Sequence, residues 1–171
     1  MKTRIILPDT DGISEAGTIL RSGGLVAFPT ETVYGLGANA LDATATKHIY
    51  EAKGRPSDNP MIIHVASIDM LNGVASGVTD AQKAIMSKLW PGPITFVLRK
   101  NPAVPDVTTG GLDTVAIRWP SRREAAEIIE AAGVPIAAPS ANLSGKPSPT
   151  TFEDVAEDMD GRIDAIVKGE R

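Results

Sequence analysis

Cysteine is absent from the 171 residues, which excludes disulfides, thiolate metal sites and a cysteine nucleophile. Histidine is nearly so: His48 and His64 are the only two, too few for a multi-histidine zinc site. No apolar run approaches the roughly 20 residues that cross a bilayer. The opening MKTRIILPDTDG lacks the apolar core of a signal peptide. Repeats, low-complexity tracts and charge blocks are missing too. The net charge of −4 argues against a protein that coats nucleic acid, because such binding neutralises many phosphates. A local basic pocket is compatible with it. The expectation is a cytoplasmic, soluble, globular protein of ordinary hydrophobic content (42%), built as one domain.

Short β-rich runs alternate with helical ones. Strands are expected at RIIL (4–7), LVAF (25–28, broken by Pro29), MIIHVA (61–66), ITFVLR (94–99), TVAIRW (114–119), PIAAPS (135–140) and DAIVK near the end. Helices are expected over 12–22, over 42–53 with Asp42 as cap, and near 152–158. Thr79–Gln82 and Ser121–Glu124 both fit a capping box, in which a hydroxyl and a later Glu or Gln satisfy free backbone N–H groups reciprocally. They predict helices over 80–89 and 122–132. Several strand pairs have no helix between them, so the fold class is α/β with a mixed parallel and antiparallel sheet.

Four stretches place polar or cationic residues at the ends of apolar runs, where ligand sites of such sheets form. In FPTETVYGLGANA (28–40), three threonine or glutamate side chains, Thr30, Glu31 and Thr32, follow a strand, and Gly35 and Gly37 allow close backbone approach. A tight turn with satisfied hydroxyls fits equally well. GLGANA lacks the third glycine of a dinucleotide fingerprint, and no GxxxxGK[ST] occurs. In KGRPSDNP (53–60), Lys53 alone suits a helix C-terminus, but Arg55 and Asn59 are not explained that way. Pro56 and Pro60 stiffen the loop, and an Arg fork beside a Lys suits phosphate oxygens. His64 points away from the face of Ile63 and Val65, an arrangement common for a hydrogen-bonded structural histidine. Arg118 ends an apolar strand, where a charge either pairs with a carboxylate or waits for one on a ligand. In APSANLSGKPSPT (138–150), Ser140, Asn142 and Ser144 crowd a turn that is either an anion nest or an ordinary Asx or Ser turn. A serine nucleophile is poorly supported, since no GxSxG elbow surrounds Ser140.

FPTETVYGLG, KGRPSDNPMIIHV, LWPGPITFVL, TVAIRWP and PSANLSGKPSPT, in this order and spacing, resemble the YrdC-type threonylcarbamoyl-AMP synthase family over about residues 12–168. The specific part is a K-x-R followed far downstream by S-x-N: Lys53, Arg55, Ser140 and Asn142. Relatives of unassigned role that share the fold tend to lack that combination. The resemblance implies a twisted mixed sheet flanked by helices around a deep, basic cavity. It implies a nucleotidyltransferase reaction in which L-threonine, bicarbonate and ATP give threonylcarbamoyl-AMP and pyrophosphate. A partner transferase would then modify the adenosine beside the anticodon of certain tRNAs. Position by position it assigns Lys53, Arg55, Asn59, Asn142 and Thr114 to ATP and pyrophosphate, with Lys53 and Arg55 catalytic. Thr32, His64, Arg118 and Ser140 fall to L-threonine, and Thr30, Tyr34 and Ser144 to the pocket wall. Magnesium is expected to come with ATP rather than in a dedicated cage. Family members continue past DAIVKGER with a further segment that helps close the pocket, so the single 1–171 domain is expected to lack it.

Two other functions fit parts of this pattern. One is an RNA-binding module of the same fold without catalysis. The other is a carbamoyl-adenylate-forming relative, although those domains are normally embedded in larger chains.

Overall fold

The computed structural model describes residues 1–170, and eight strands among them form a single mixed sheet in the order β1-β8-β2-β3-β7-β4-β6-β5. The strands are β1 (Arg4–Ile6), β2 (Val26–Pro29), β3 (Tyr34–Asn39), β4 (Ile62–His64), β5 (Thr95–Arg99), β6 (Thr114–Arg118), β7 (Ile136–Ala137) and β8 (Ala165–Val167). The helices are α1 (Thr10–Arg21), α2 (Ala43–Lys53), α3 (Ile68–Val74), α4 (Asp80–Leu89), α5 (Asp106–Thr109), α6 (Arg123–Ala132) and α7 (Phe152–Met159). Parallel pairs (β1–β8, β2–β8, β4–β6) and antiparallel ones (β2–β3, β3–β7, β4–β7, β5–β6) coexist, as expected of a mixed sheet. No described helix is long and apolar enough to cross a membrane.

Strand alternation sorts the core into two layers. Val26, Phe28, Ile136 and Ala138 face Ile13, Ala16 and Leu20 of α1 and Ile128, Ile129 and Ala132 of α6. Their chain neighbours Ala27 and Ala137 point the other way, into a layer with Leu36, Ile63 and Ile117 that α2 and α7 cover with Ile49, Tyr50, Val155 and Met159. The helices do not cover all of the sheet: Thr95, Val97 and Arg99 of β5 are exposed, so one face stays open beside β6.

Five elements depart from the sequence expectation. YGLGAN is not among the expected strands, glycine being depleted in them, yet it forms β3. The reason is packing. A Cβ at Gly37 would lie 2.7 Å from Phe28 Cε1 and 2.9 Å from Ile136 Cγ2, so only hydrogen fits beneath the Phe28 ring. Gly37→Ala is therefore expected to cost about 1–3 kcal/mol by overpacking, read as a lowered urea midpoint with an unchanged slope. The Ser121 capping box does not form: α6 is capped at Arg122 without a side-chain bond, and Ser121 turns to Glu31 instead. The Thr79–Gln82 box does form, with both reciprocal bonds. Strand β7 is also only two residues long, because from Pro139 onward the chain leaves the β4 ladder. Helices α3 and α5 were not expected at all, being too short, at 7 and 4 residues, for a helical period to register.

Candidate active site

Helix α2 ends where the site begins. Gly54 caps it in the left-handed conformation (φ 63°), a turn that glycine makes without strain, and sends the 55–60 loop across the sheet's end. Lys53 is thereby aimed at the loop that follows β7. Its Nζ donates to the Ser140 carbonyl and, at 2.8 Å, to the Asn142 carbonyl, while its own carbonyl accepts from Ser144 N at 2.8 Å. Two segments almost 90 residues apart in sequence are tied by one buried lysine. Burial, with help from the Arg55 charge, pushes the Lys53 pKa down to about 8, against the pull of Asp158. Two of the three ammonium protons are committed to carbonyls, which leaves one for a ligand.

Arg55 is held differently. Nη2 donates to the Pro60 carbonyl at 3.3 Å, and Cζ lies 5.9 Å from the centre of the Tyr50 ring. Its buried Nε has no partner among the described residues. A guanidinium propped on an aromatic ring with a spare N–H is poised for an anion. Asn59 is exposed on the same loop, and its carbonyl accepts the Tyr50 hydroxyl at 2.6 Å. Asn142 is buried, and its Nδ2 donates to the carbonyls of Leu143 and Lys146, both at 2.8 Å. Only the acceptor Oδ1 is left unpartnered. Asn142 thus offers an acceptor, where a phosphate contact would need a donor.

The second cluster gathers at the other end of β4 and β6. His64 and Arg118 are directly paired across the parallel ladder and point to one face. Arg118 Nη1 donates to Thr32 Oγ1 at 3.1 Å, and Nη2 contacts the Glu31 carboxylate. Thr30 Oγ1 lies 3.2 Å from Thr32 Oγ1 and donates to the Val33 carbonyl at 2.6 Å, which shapes the turn. Strands β2 and β6 stand four spacings apart, about 19 Å in a flat sheet. Twist of roughly 20–25° per strand accumulates to about 80–100° and brings the β2–β3 turn onto the end of β6. That turn connects back to the first cluster, since Gly35 bridges Ser140 and Ala141 N donates to the Tyr34 carbonyl at 2.9 Å. The Tyr34 ring lies in the core, with its hydroxyl accepting from Gly169 N at 2.8 Å.

Buried His64 is neutral. Burial pushes its pKa down to about 4, against the opposing pull of the Ile62 carbonyl, 3.3 Å from Nδ1, and of the Ile136 carbonyl. The unfolded chain takes up this proton below its ordinary value of 6.5 and the folded protein does not. The stability due to His64 is therefore present above pH 6.5 and lost as pH falls toward 4. At about 1.4 kcal/mol per pKa unit, His64→Gln should lose about 1–3 kcal/mol less than the parent between pH 7 and pH 4, read from urea midpoints. Parallel losses would show that His64 does not titrate this way.

Two of the expected residues stand outside both clusters. Thr114 opens β6 opposite Arg99, roughly 13 Å along the strand from Arg118, and Ser144 is exposed, its backbone alone in the clamp. The role of two residues was missed in the sequence, Asp158 altogether and Glu31 as a partner of Arg118. Asp158 of α7 accepts from Leu143 N at 3.0 Å and Lys146 Nζ at 2.6 Å, pinning the 142–146 loop from behind. Burial alone would push its pKa up, but these bonds outweigh it and hold the carboxylate below its ordinary range. An acid on the apolar stripe of α7, between Val155 and Met159, was the available signal. Glu31 had none, because nothing local ties it to Arg118.

Hollow size does not mark the site. A groove of about 590 Å³ beside Tyr50, Arg55 and Pro56 borders it. A larger one of about 640 Å³, between Gly23, His48 and Arg162, holds none of these residues.

A family model named Sua5/YciO/YrdC, described as telomere recombination, matches residues 18–171. The chain belongs to the Sua5/YciO/YrdC family. Among Sua5/YciO/YrdC proteins, it is 56% identical over 154 residues to the threonylcarbamoyl-AMP synthase of Pyrococcus abyssi, covering 90% of this chain and 45% of that protein. It is 54% identical over 158 residues to the synthase of Bacillus subtilis, covering 92% and 46%. The chain thus spans about half the length of these curated relatives. The crystal structure of Pyrococcus abyssi Sua5 complexed with L-threonine superposes with a TM-score of 0.94 at 51% identity, covering 100% of this chain and 51% of that one.

Proposed function

We propose that this Sua5/YciO/YrdC domain makes threonylcarbamoyl-AMP from L-threonine, bicarbonate and ATP, releasing pyrophosphate. The observation that carries this reading is the Lys53 clamp on the Ser140–Asn142 loop beside an Arg55 that keeps an unpartnered N–H. The names of the relatives above support it, as does the threonine-bound Sua5 structure.

The chemistry asks for such a site. Threonine's amine attacks the carbon of bicarbonate, and loss of water gives a carbamate. A carbamate oxygen then attacks the α-phosphorus of ATP, and the bond to the pyrophosphate breaks. Anion approaches anion in that step, so fixed cations and orientation lower the barrier without a protein nucleophile. In this reading Arg55 and the third Lys53 proton receive the triphosphate and the departing pyrophosphate. Asn59 and Thr114 border the nucleotide. Asn142 Oδ1 accepts from a hydroxyl or ammonium group of a substrate. Arg118 takes the carboxylate of L-threonine, with Thr32, Ser140 and the neutral His64 nearer its hydroxyl and amine. Thr30, Tyr34 and Ser144 complete the wall of a basic cavity that keeps water from the carbamate and the adenylate.

No group of three or more acidic or histidine side chains that could hold a metal occurs among the described residues. Magnesium would arrive with the triphosphate, held by phosphate oxygens and water, and offset their charge. In the cytoplasm a partner transferase would carry the product's threonylcarbamoyl group to tRNA.

The test is pyrophosphate release with each substrate omitted in turn. Release is expected only when threonine, bicarbonate and ATP are all present. Release without threonine would overturn the reading. So would RNA binding that weakens steeply with salt and ignores threonine.

A further inference from the structure

The Arg118 guanidinium, which the proposed reading reserves for the carboxylate of an amino acid, is already in contact with one. Glu31 touches Arg118 Nη2 with Oε1, and its Oε2 accepts from both the backbone N–H and the hydroxyl of Ser121. Thr32 takes Nη1, and the buried Nε has no partner among the described residues. An unpaired guanidinium buried at the end of an apolar strand is costly, so Glu31 supplies its counter-charge when no ligand is bound. The pair is not sealed in: the Glu31 side chain is 20% exposed and the Arg118 side chain 10%. Glu31 also sits on the β2–β3 turn rather than within a strand. A χ rotation can carry its carboxylate to solvent without breaking the Thr30–Val33 bond that shapes the turn. Two carboxylates sharing one guanidinium would repel each other.

We propose that Glu31 is a resident carboxylate that occupies Arg118 in the ligand-free protein and yields it to the α-carboxylate of the incoming amino acid. This rests on the assignment of Arg118 to L-threonine made above. The exchange replaces one anion by another, so the guanidinium is never left bare. A ligand without a carboxylate cannot complete it, so Arg118 selects free amino acids over their amides, and Glu31 sets the affinity by competing with them for that guanidinium.

Calorimetric titration of the parent and of Glu31→Gln with L-threonine and with L-threoninamide tests this. The amide side chain keeps a near-identical shape and an oxygen for Ser121 but brings no charge to Arg118. Glu31→Gln is expected to bind L-threonine roughly five- to tenfold more tightly than the parent, and both proteins should bind L-threoninamide weakly and alike. Glu31→Asp, one methylene too short to bridge Ser121 and Arg118, should shift threonine binding in the same direction and stands in should Glu31→Gln fold poorly. Unchanged or weaker threonine binding in the variants would overturn the proposal and make Glu31 a positioning residue that holds Arg118. Absence of threonine binding in the parent would instead remove the amino-acid reading, and this inference with it.

Discussion

Lys53→Met is expected to abolish threonine-dependent pyrophosphate release and to lower the thermal midpoint as well. The two effects have different causes. Catalysis loses a fixed positive charge at the triphosphate, worth at least about a hundredfold in rate for a site that works by electrostatics. Stability loses the donor for two carbonyls, those of Ser140 and Asn142, to a side chain only 4% exposed. Each unsatisfied buried carbonyl costs about 1–3 kcal/mol, offset in part because an ammonium no longer has to be buried. A net loss of about 1–3 kcal/mol corresponds to roughly 3–8 °C for a domain of this size. Scanning fluorimetry beside the release assay separates the two. An unchanged midpoint would mean that water replaces the ammonium and that the clamp is not structural. The ammonium should also titrate near pH 8, so activity of the parent should decline above that pH as its proton is lost.

Arg55→Ala is expected to remove activity as completely while leaving stability within about 0.5 kcal/mol of the parent's, because Arg55 makes only a long bond to Pro60 and a ring contact. Nothing buried depends on it. Arg55→Lys should restore a minor part of the rate, since an ammonium cannot reproduce the planar fork that grips two phosphate oxygens. A large drop in midpoint for Arg55→Ala would place it with Lys53 as a structural cation. Full activity in Arg55→Lys would reduce its role to point charge alone.

The contrast between Lys53 and Arg55 was not legible in the sequence, where both belong to one stiffened KGRPSDNP loop. Spacing showed that cations stand at the end of an apolar run. It could not show that one of them donates to carbonyls almost 90 residues away. The same limit applies to Glu31. Its partner Arg118 lies on a strand four spacings off in the sheet, and only the accumulated twist joins them. Asn142 is a subtler case. Its presence in S-x-N was readable, but that its donors are spent and only a buried acceptor is left unpartnered depends on the carbonyls of Leu143 and Lys146.

Local signals served well wherever the physics is local. The Asp42 cap, the Thr79–Gln82 box and the apolar period of α2 act within one or two turns of chain, and α2 and α4 lie within a residue of where they are expected. Most β-branched runs became strands for the same reason. Strand β3 did not follow its composition, because glycine was selected by the Phe28 ring packed over it.

The amino-acid sequence by itself thus determined the fold class, the capped helices and which polar residues end the apolar runs, since propensity and capping are settled within a few residues. The tertiary structure alone decided which cation is clamped, which keeps a spare N–H and which carboxylate sits on Arg118. Those depend on burial and on contacts between distant strands, and sheet twist creates them only after the chain has folded.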